Sequence, residues 1–221
     1  MVSESPRRSG LLFVLEGIDG AGKTVVCDRL IELLADEGRD VVRLREPTSE
    51  SPWGKEIRER TPRGELTPSE ELELYMRDRE WHIRNRIKPA LAAGKIVLMD
   101  RYFFAAGAYQ STSTGLHWSE IVRRNREEIG APEPDIVFLL NVPVEVGLAR
   151  IAAAREGSLN VQFEKHDRLA KVRQAYLEMA AEDLGNFTVI DATNELEEVV
   201  SEVYTRVVDF IRKHRAQDTS T

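Results

Sequence analysis

Gly17-Ile18-Asp19-Gly20-Ala21-Gly22-Lys23-Thr24 has the residue types and spacing of a phosphate cradle, G-x-x-x-x-G-K-[ST]. Its glycines let backbone N–H groups turn inward on phosphate oxygens, and the helix start that follows adds partial positive charge. In such a loop the Lys23 ammonium neutralises β/γ-phosphates and the Thr24 hydroxyl ligates Mg²⁺. A second chemical pair is Asp100-Arg101, directly after the apolar run Ile96-Val97-Leu98-Met99. A carboxylate leaving a strand end beside the loop orients Mg²⁺ through water, and the turn brings the adjacent guanidinium into the same cleft. Arg45-Glu46, ahead of Pro47, and Asn141 also follow short apolar runs.

These groups need elements to hold them. Leu11 to Leu15, Val41 to Leu44, Ile96 to Met99, Ile136 to Leu140 and Phe187 to Ile190 read as buried strands. Between them lie helical patterns: Val25 to Asp36, a short helix Trp53 to Arg60, Ser69 to Ala93, Phe103 to Ser111, His117 to Ile129, Pro143 to Ala154, Gln162 to Asp183 and Leu196 to Lys213. Thr67-Pro68-Ser69-Glu70 supplies cap residues for the long third helix, and Pro89 is expected to kink its last turn. Short apolar strands alternating with helices predict an α/β fold with a parallel sheet covered on both faces. Ligands of such sheets sit at the carboxyl ends of the strands, where the groups above fall.

Composition sets bounds. The 221 residues are 42% hydrophobic and 31% charged, enough for a sizeable core. A net charge of −7 argues against nonspecific binding of nucleic acid or anionic membrane, so phosphate-binding cations must be concentrated locally. A single cysteine, Cys27, excludes an internal disulfide and suits a reducing cytoplasm. No apolar run approaches a membrane span of ~20 residues. Residues 1–10, with Arg7 and Arg8 but no apolar stretch after them, read as a disordered tail without signal-peptide character, and residues 214–221 as a frayed end.

Taken together, the motifs resemble a known family. Phe13-Val14-Leu15-Glu16 leading into the loop, Arg45-Glu46-Pro47, and Asp100-Arg101-Tyr102 followed by Ala108-Tyr109-Gln110 are similar to thymidylate kinases, in that family's order and across about residues 11–211. The resemblance implies a P-loop kinase fold: a five-stranded parallel sheet with helices on both faces and a short mobile lid at about 150–164, all within one domain, 11–213. It implies transfer of the ATP γ-phosphoryl group to dTMP with Mg²⁺, and a homodimer. Lys23 would hold ATP phosphates, Arg101 would sit between donor and acceptor, and Arg45 would contact the acceptor phosphate. Asp19 would lie near the acceptor sugar and the metal. Tyr75 would stack on the base, Arg79 would hydrogen-bond it, and Tyr109 would lie against the deoxyribose, with Glu46, Pro47 and Gln110 as further acceptor contacts. Position 20 is Gly, so a transition-state cation is expected from the lid, with Arg150 and Arg155 as candidates; Glu164 is a candidate metal contact. Ala105 and Ala106 depart from the family pattern, in which a polar side chain there contacts the base. They, with Tyr75, motivate an alternative reading as a deoxynucleoside kinase with Glu46 as base, or as a broader deoxynucleoside monophosphate kinase. A binding module without turnover is argued against by the intact Lys23, Thr24, Asp100 and Arg101.

Overall fold

The computed structural model describes residues 10–154, 162–182 and 186–218. Among them β1 (Leu11–Glu16), β2 (Val41–Arg45), β3 (Ile96–Asp100), β4 (Ile136–Asn141) and β5 (Phe187–Asp191) form one parallel sheet in the order β2-β3-β1-β4-β5. β1 and β3 are buried along their whole length, which is why they read as unbroken apolar runs. The connection leaving β1 runs toward β2, and the one leaving β4 runs toward β5. The crevice of the sheet therefore opens at the carboxyl end of β1, where the phosphate loop stands. Register then sets the rim of that crevice: Arg45 of β2 and Leu15 of β1 both pair with Asp100 of β3.

The helices are α1 (Lys23–Asp36), α2 (Pro52–Arg60), α3 (Pro68–His82), α4 (Lys88–Ala92), α5 (Phe103–Thr114), α6 (Trp118–Glu127), α7 (Val144–Ala154), α8 (Gln162–Ala181) and α9 (Leu196–Asp218). α1 packs beside α9, and Phe13 of β1 meets Phe210 of α9 edge-on at 5.7 Å. α5 packs with α3, α6 and α8, and α2 lies on α3. Val97, Leu98 and Phe138 are fully buried in the sheet; side chains of this size each contribute about 1.5–3 kcal/mol over leaving them exposed.

The long third helix differs from expectation in its interior. Thr67 and Glu70 cap it reciprocally, but it starts at Pro68, and after His82 it widens into a π turn, Ile83–Ile87, before α4. The Lys88 N–H reaches back five residues to the Ile83 carbonyl. Pro89 has no N–H to continue the ordinary ladder, so the chain accommodates it by widening the preceding turn rather than by breaking. Two ends also differ. Gly10, expected in the tail, is buried and donates its N–H to the Leu91 carbonyl at 2.9 Å, so it packs with the domain. α9 continues to Asp218, into the expected frayed end. Within the expected lid, α7 carries Arg150, while Arg155 lies outside the described residues, as does the side chain of Glu164.

Candidate active site

The loop between β1 and α1 is shaped by close backbone approach. Gly20 has φ +80°, and a Cβ there would lie 2.1 Å from the Gly147 carbonyl oxygen of α7. A side chain at position 20 has neither the conformation nor the room, which gives the physical reason that the loop offers no cation there. Gly147 reciprocates: its own Cβ would meet the Asp19 carbonyl at 2.7 Å. The start of α7 is thus seated directly on the phosphate loop.

Lys23 folds back over this loop, donating to the carbonyls of Gly17 (3.0 Å) and Ile18 (2.8 Å). Burial, then the nearby Arg101 charge, pushes its pKa down to about 7, against the pull of Asp19, Asp100 and Glu16. The Thr24 hydroxyl donates to Asp100 Oδ2 at 2.7 Å, so two of the three residues expected at the magnesium are in contact; the side chain of the third, Glu164, lies outside the described residues. Arg43 and Arg45 approach the same carboxylate at 3.9 and 3.8 Å. A hydroxyl and a carboxylate beside a phosphate loop are hard oxygen donors of the kind Mg²⁺ takes. The described residues hold no cluster of three or more His, Cys, Asp or Glu side chains.

Two cavities meet at the strand ends. The first, about 360 Å³, is bordered by Gly20, Gly22, Lys23, Thr24, Asp100 and Arg150. The second, about 270 Å³, runs between α3 and α5 and is bordered by Tyr75, Arg79, Ala105, Ala106, Tyr109 and Gln110, with Glu46 and Pro47 at one side. Asp19, Arg45 and Arg101 border both. At this junction Arg101 donates to Asp19 Oδ1 at 2.6 Å and to the Tyr109 hydroxyl at 3.2 Å, its guanidinium lying 4.7 Å from the Tyr109 ring centroid. Arg101 holds φ +69°, unusual for a residue other than glycine.

The second cavity has a rigid charged wall. Arg79 is fully buried; its Nε and Nη2 reach Glu46 Oε2 at 2.7 and 2.6 Å, and its Nη1 reaches Asn125 Oδ1 at 2.6 Å. His82 Nδ1 lies 3.2 Å from the other Glu46 oxygen. Burial raises the Glu46 pKa, but Arg79 and His82 outweigh it and hold the carboxyl below its ordinary value. Glu46 and Arg79 therefore border the cavity chiefly through each other. Asp78, one residue before Arg79, accepts from the Thr48 N–H (2.9 Å) and from the Ser51 hydroxyl, tying α3 to the loop after Pro47.

Several of these partners carried no sequence signal of function. Asn125 sits in a charged helix, and His82 and Asp78 look like solvated residues of α3. Arg168 of α8 also borders the second cavity. Asn141 closes β4 at its carboxyl end, as expected, and there accepts from Arg173 of α8 at 2.8 Å. Glu16 did have a detectable signal, as the one charge closing an otherwise apolar strand. It is fully buried, and burial raises its pKa to about 7 despite the Tyr176 hydrogen bond and the Arg101 charge.

A sequence model of the family described as thymidylate kinase matches residues 15–203. The thymidylate kinase of Xanthomonas euvesicatoria pv. vesicatoria is 40% identical over 212 residues, covering 96% of this chain and 89% of that protein. A probable thymidylate kinase of Archaeoglobus fulgidus is 43% identical over 201 residues, covering 91% and 96%.

Proposed function

The chain belongs to the thymidylate kinase family, and we propose that its two joined cavities carry the γ-phosphoryl group of ATP to dTMP, giving dTDP and ADP. The observation that carries this reading is the shared border: Asp19, Arg45 and Arg101 face both cavities, so a group can pass between occupants without leaving the protein's cations.

Phosphoryl transfer proceeds through a loose, anionic transition state and asks mainly for alignment and charge. The loop N–H groups from Gly17 to Thr24 receive the ATP phosphates, and Lys23 exchanges its carbonyl contacts with Gly17 and Ile18 for phosphate oxygens. Arg101 supplies charge where the transferred group lies between donor and acceptor, and Arg45 holds the acceptor phosphate. Thr24 and Asp100 would hold Mg²⁺, with Glu164 as a further candidate contact, and the ion would supply positive charge against that developing on the phosphates. Arg150, at the mouth of the first cavity, and Arg155 supply the cation that Gly20 excludes from the loop. In the second cavity Tyr75 stacks on thymine, Arg79 stiffens the wall at the base edge, and Tyr109 lies against the sugar, with Gln110 behind.

The nucleoside-kinase alternative needs a free carboxylate to take a proton from a 5′-hydroxyl. Glu46 is committed to Arg79 and His82, which disfavours it as that base. Family resemblance further supports a homodimer and a cytoplasmic site of action; no helix among the described residues is long and apolar enough to cross a membrane. Sedimentation tests the dimer. Coupled measurement of ADP release with dTMP, thymidine, dUMP, dCMP and dGMP tests the activity: dTMP is expected to give the highest kcat/KM, and faster turnover of thymidine would overturn the assignment.

A further inference from the structure

Glu16 closes β1 with its carboxylate inside the protein. One oxygen accepts the N–H groups of Tyr102 (2.8 Å) and Ala105 (3.2 Å); the other accepts the Tyr176 hydroxyl of α8 at 2.7 Å. Tyr102 is the residue from which α5 starts, and its own side chain makes no capping bond. The Ala105 N–H, in the first turn, is shared between the Tyr102 carbonyl at 3.0 Å and Glu16, so the donor left wholly to Glu16 is that of Tyr102. Glu16 thus performs from the adjacent strand the task a local Ser or Asp usually performs, its carboxylate accepting at the N-terminal end of α5.

The consequence falls on Arg101. Its own N–H is donated to the Leu15 carbonyl at 3.0 Å, and the next N–H, that of Tyr102, goes to Glu16. Both peptides flanking Arg101 are therefore pinned to β1. A left-handed arginine persists only where its surroundings enforce it, and these two bonds do so. From that backbone the side chain reaches Asp19 and Tyr109.

The geometry points to Glu16 as a positioning residue for phosphoryl transfer, an internal carboxylate that caps α5 from β1 and so aims the Arg101 guanidinium at the junction of the two cavities. Fully buried, it acts through Arg101 and not on substrate. The inference rests on the proposed role of Arg101 and adds the residue that sets its aim.

The test is a double-mutant cycle of Glu16→Gln and Arg101→Ala with steady-state kinetics. Glutamine keeps one acceptor oxygen but replaces the other with an amide donor, which cannot accept both from α5 and from Tyr176, so it loosens the turn without opening a cavity. Since misplacement by about 1 Å costs ~10²-fold, Glu16→Gln is expected to lower kcat by roughly tenfold while the KM values for ATP and dTMP stay within about threefold. In the Arg101→Ala background the same change is expected to lower kcat by less than about twofold. Equal losses in both backgrounds, or an unchanged kcat, would overturn the inference. Near-normal activity of Arg101→Ala would instead locate the failure in the proposed role of Arg101. Tyr176→Phe, which releases only the second oxygen, supplies an independent arm should Glu16→Gln fold poorly. It is expected to lower Tm and leave kcat within about twofold, whereas a kcat loss of about tenfold would move the effect from the turn to the Tyr176 bond and contradict the assignment.

Discussion

Replacing Arg79 with Leu tests the electrostatics of the acceptor-side wall. The guanidinium is 1% exposed and its partner Glu46 is 3% exposed, so in place of water each charge has the other, with Asn125 and the Tyr102 carbonyl beside Arg79 and His82 beside Glu46. Removing one partner of a buried pair costs about 3–5 kcal/mol, because the remaining charge stays desolvated. For a chain of this size each kcal/mol shifts Tm by roughly 2–4 °C, so at pH 7 the variant is expected to melt some 6–20 °C lower. The pH dependence supplies a second, sharper check. In the wild type Glu46 is depressed below 4.5, so its contribution is present above that value and is lost only as pH falls through the lower folded pKa. Without Arg79 burial dominates and raises the carboxyl, so stability falls as pH rises above 4.5. The gap between variant and wild type should therefore be widest near neutrality and narrow toward pH 5. Adding Glu46→Gln should recover part of the loss. Urea unfolding from pH 5 to 8 measures all of this. A cost under about 1 kcal/mol at pH 7, the level of an exposed pair, or one independent of pH, would refute the argument.

Two other outcomes follow from the phosphate loop. Burial and the Arg101 charge hold the Lys23 pKa down to about 7, and the negative charge of a phosphate beside it would raise it, so ATP binding at pH 8 should draw a proton onto Lys23. Calorimetry of ATP binding in buffers of different ionisation heat should show uptake approaching one proton at pH 8. The Lys23→Met variant should show none, and should lose at least ~10²-fold in kcat/KM. Gly20→Ala sets a Cβ against the Gly147 carbonyl at φ +80°, so it should destabilise the fold by more than the ~1–2 kcal/mol of left-handed strain alone. An unchanged Tm would mean that α7 does not bear on the loop.

The strands, the loop and most cavity-lining residues were legible in the sequence because each is announced locally. Glycine spacing requires a phosphate cradle, and apolar runs ending in Arg45-Glu46 or Asp100-Arg101 place charge at a sheet's carboxyl edge. What stayed hidden depends on partners far apart in sequence. That Glu46 is held by Arg79, and Arg79 by Asn125, follows from how α3 meets both α6 and the segment after β2, and no periodicity reports it. The π turn before Pro89 was legible only as a disturbance, since proline says that a hydrogen bond is missing but not how the chain absorbs the loss. Glu16 was visible as a charge ending an apolar strand, yet its use as a distant cap depends on the turn at Arg101. Gly147 carries no local sign of its close approach to Gly20, which depends on how α7 meets the loop.

The shared border of the two cavities is tested most directly by a single molecule that fills both, adenosine and thymidine joined 5′ to 5′ through a chain of phosphates. Titrated calorimetrically, it should bind one per chain, exclude ATP and dTMP together, and lose at least ~10²-fold in affinity in Arg101→Ala, the scale of a lost buried charge contact. Displacement of only one of the two nucleotides, or undiminished affinity in Arg101→Ala, would contradict a transfer site at Asp19, Arg45 and Arg101.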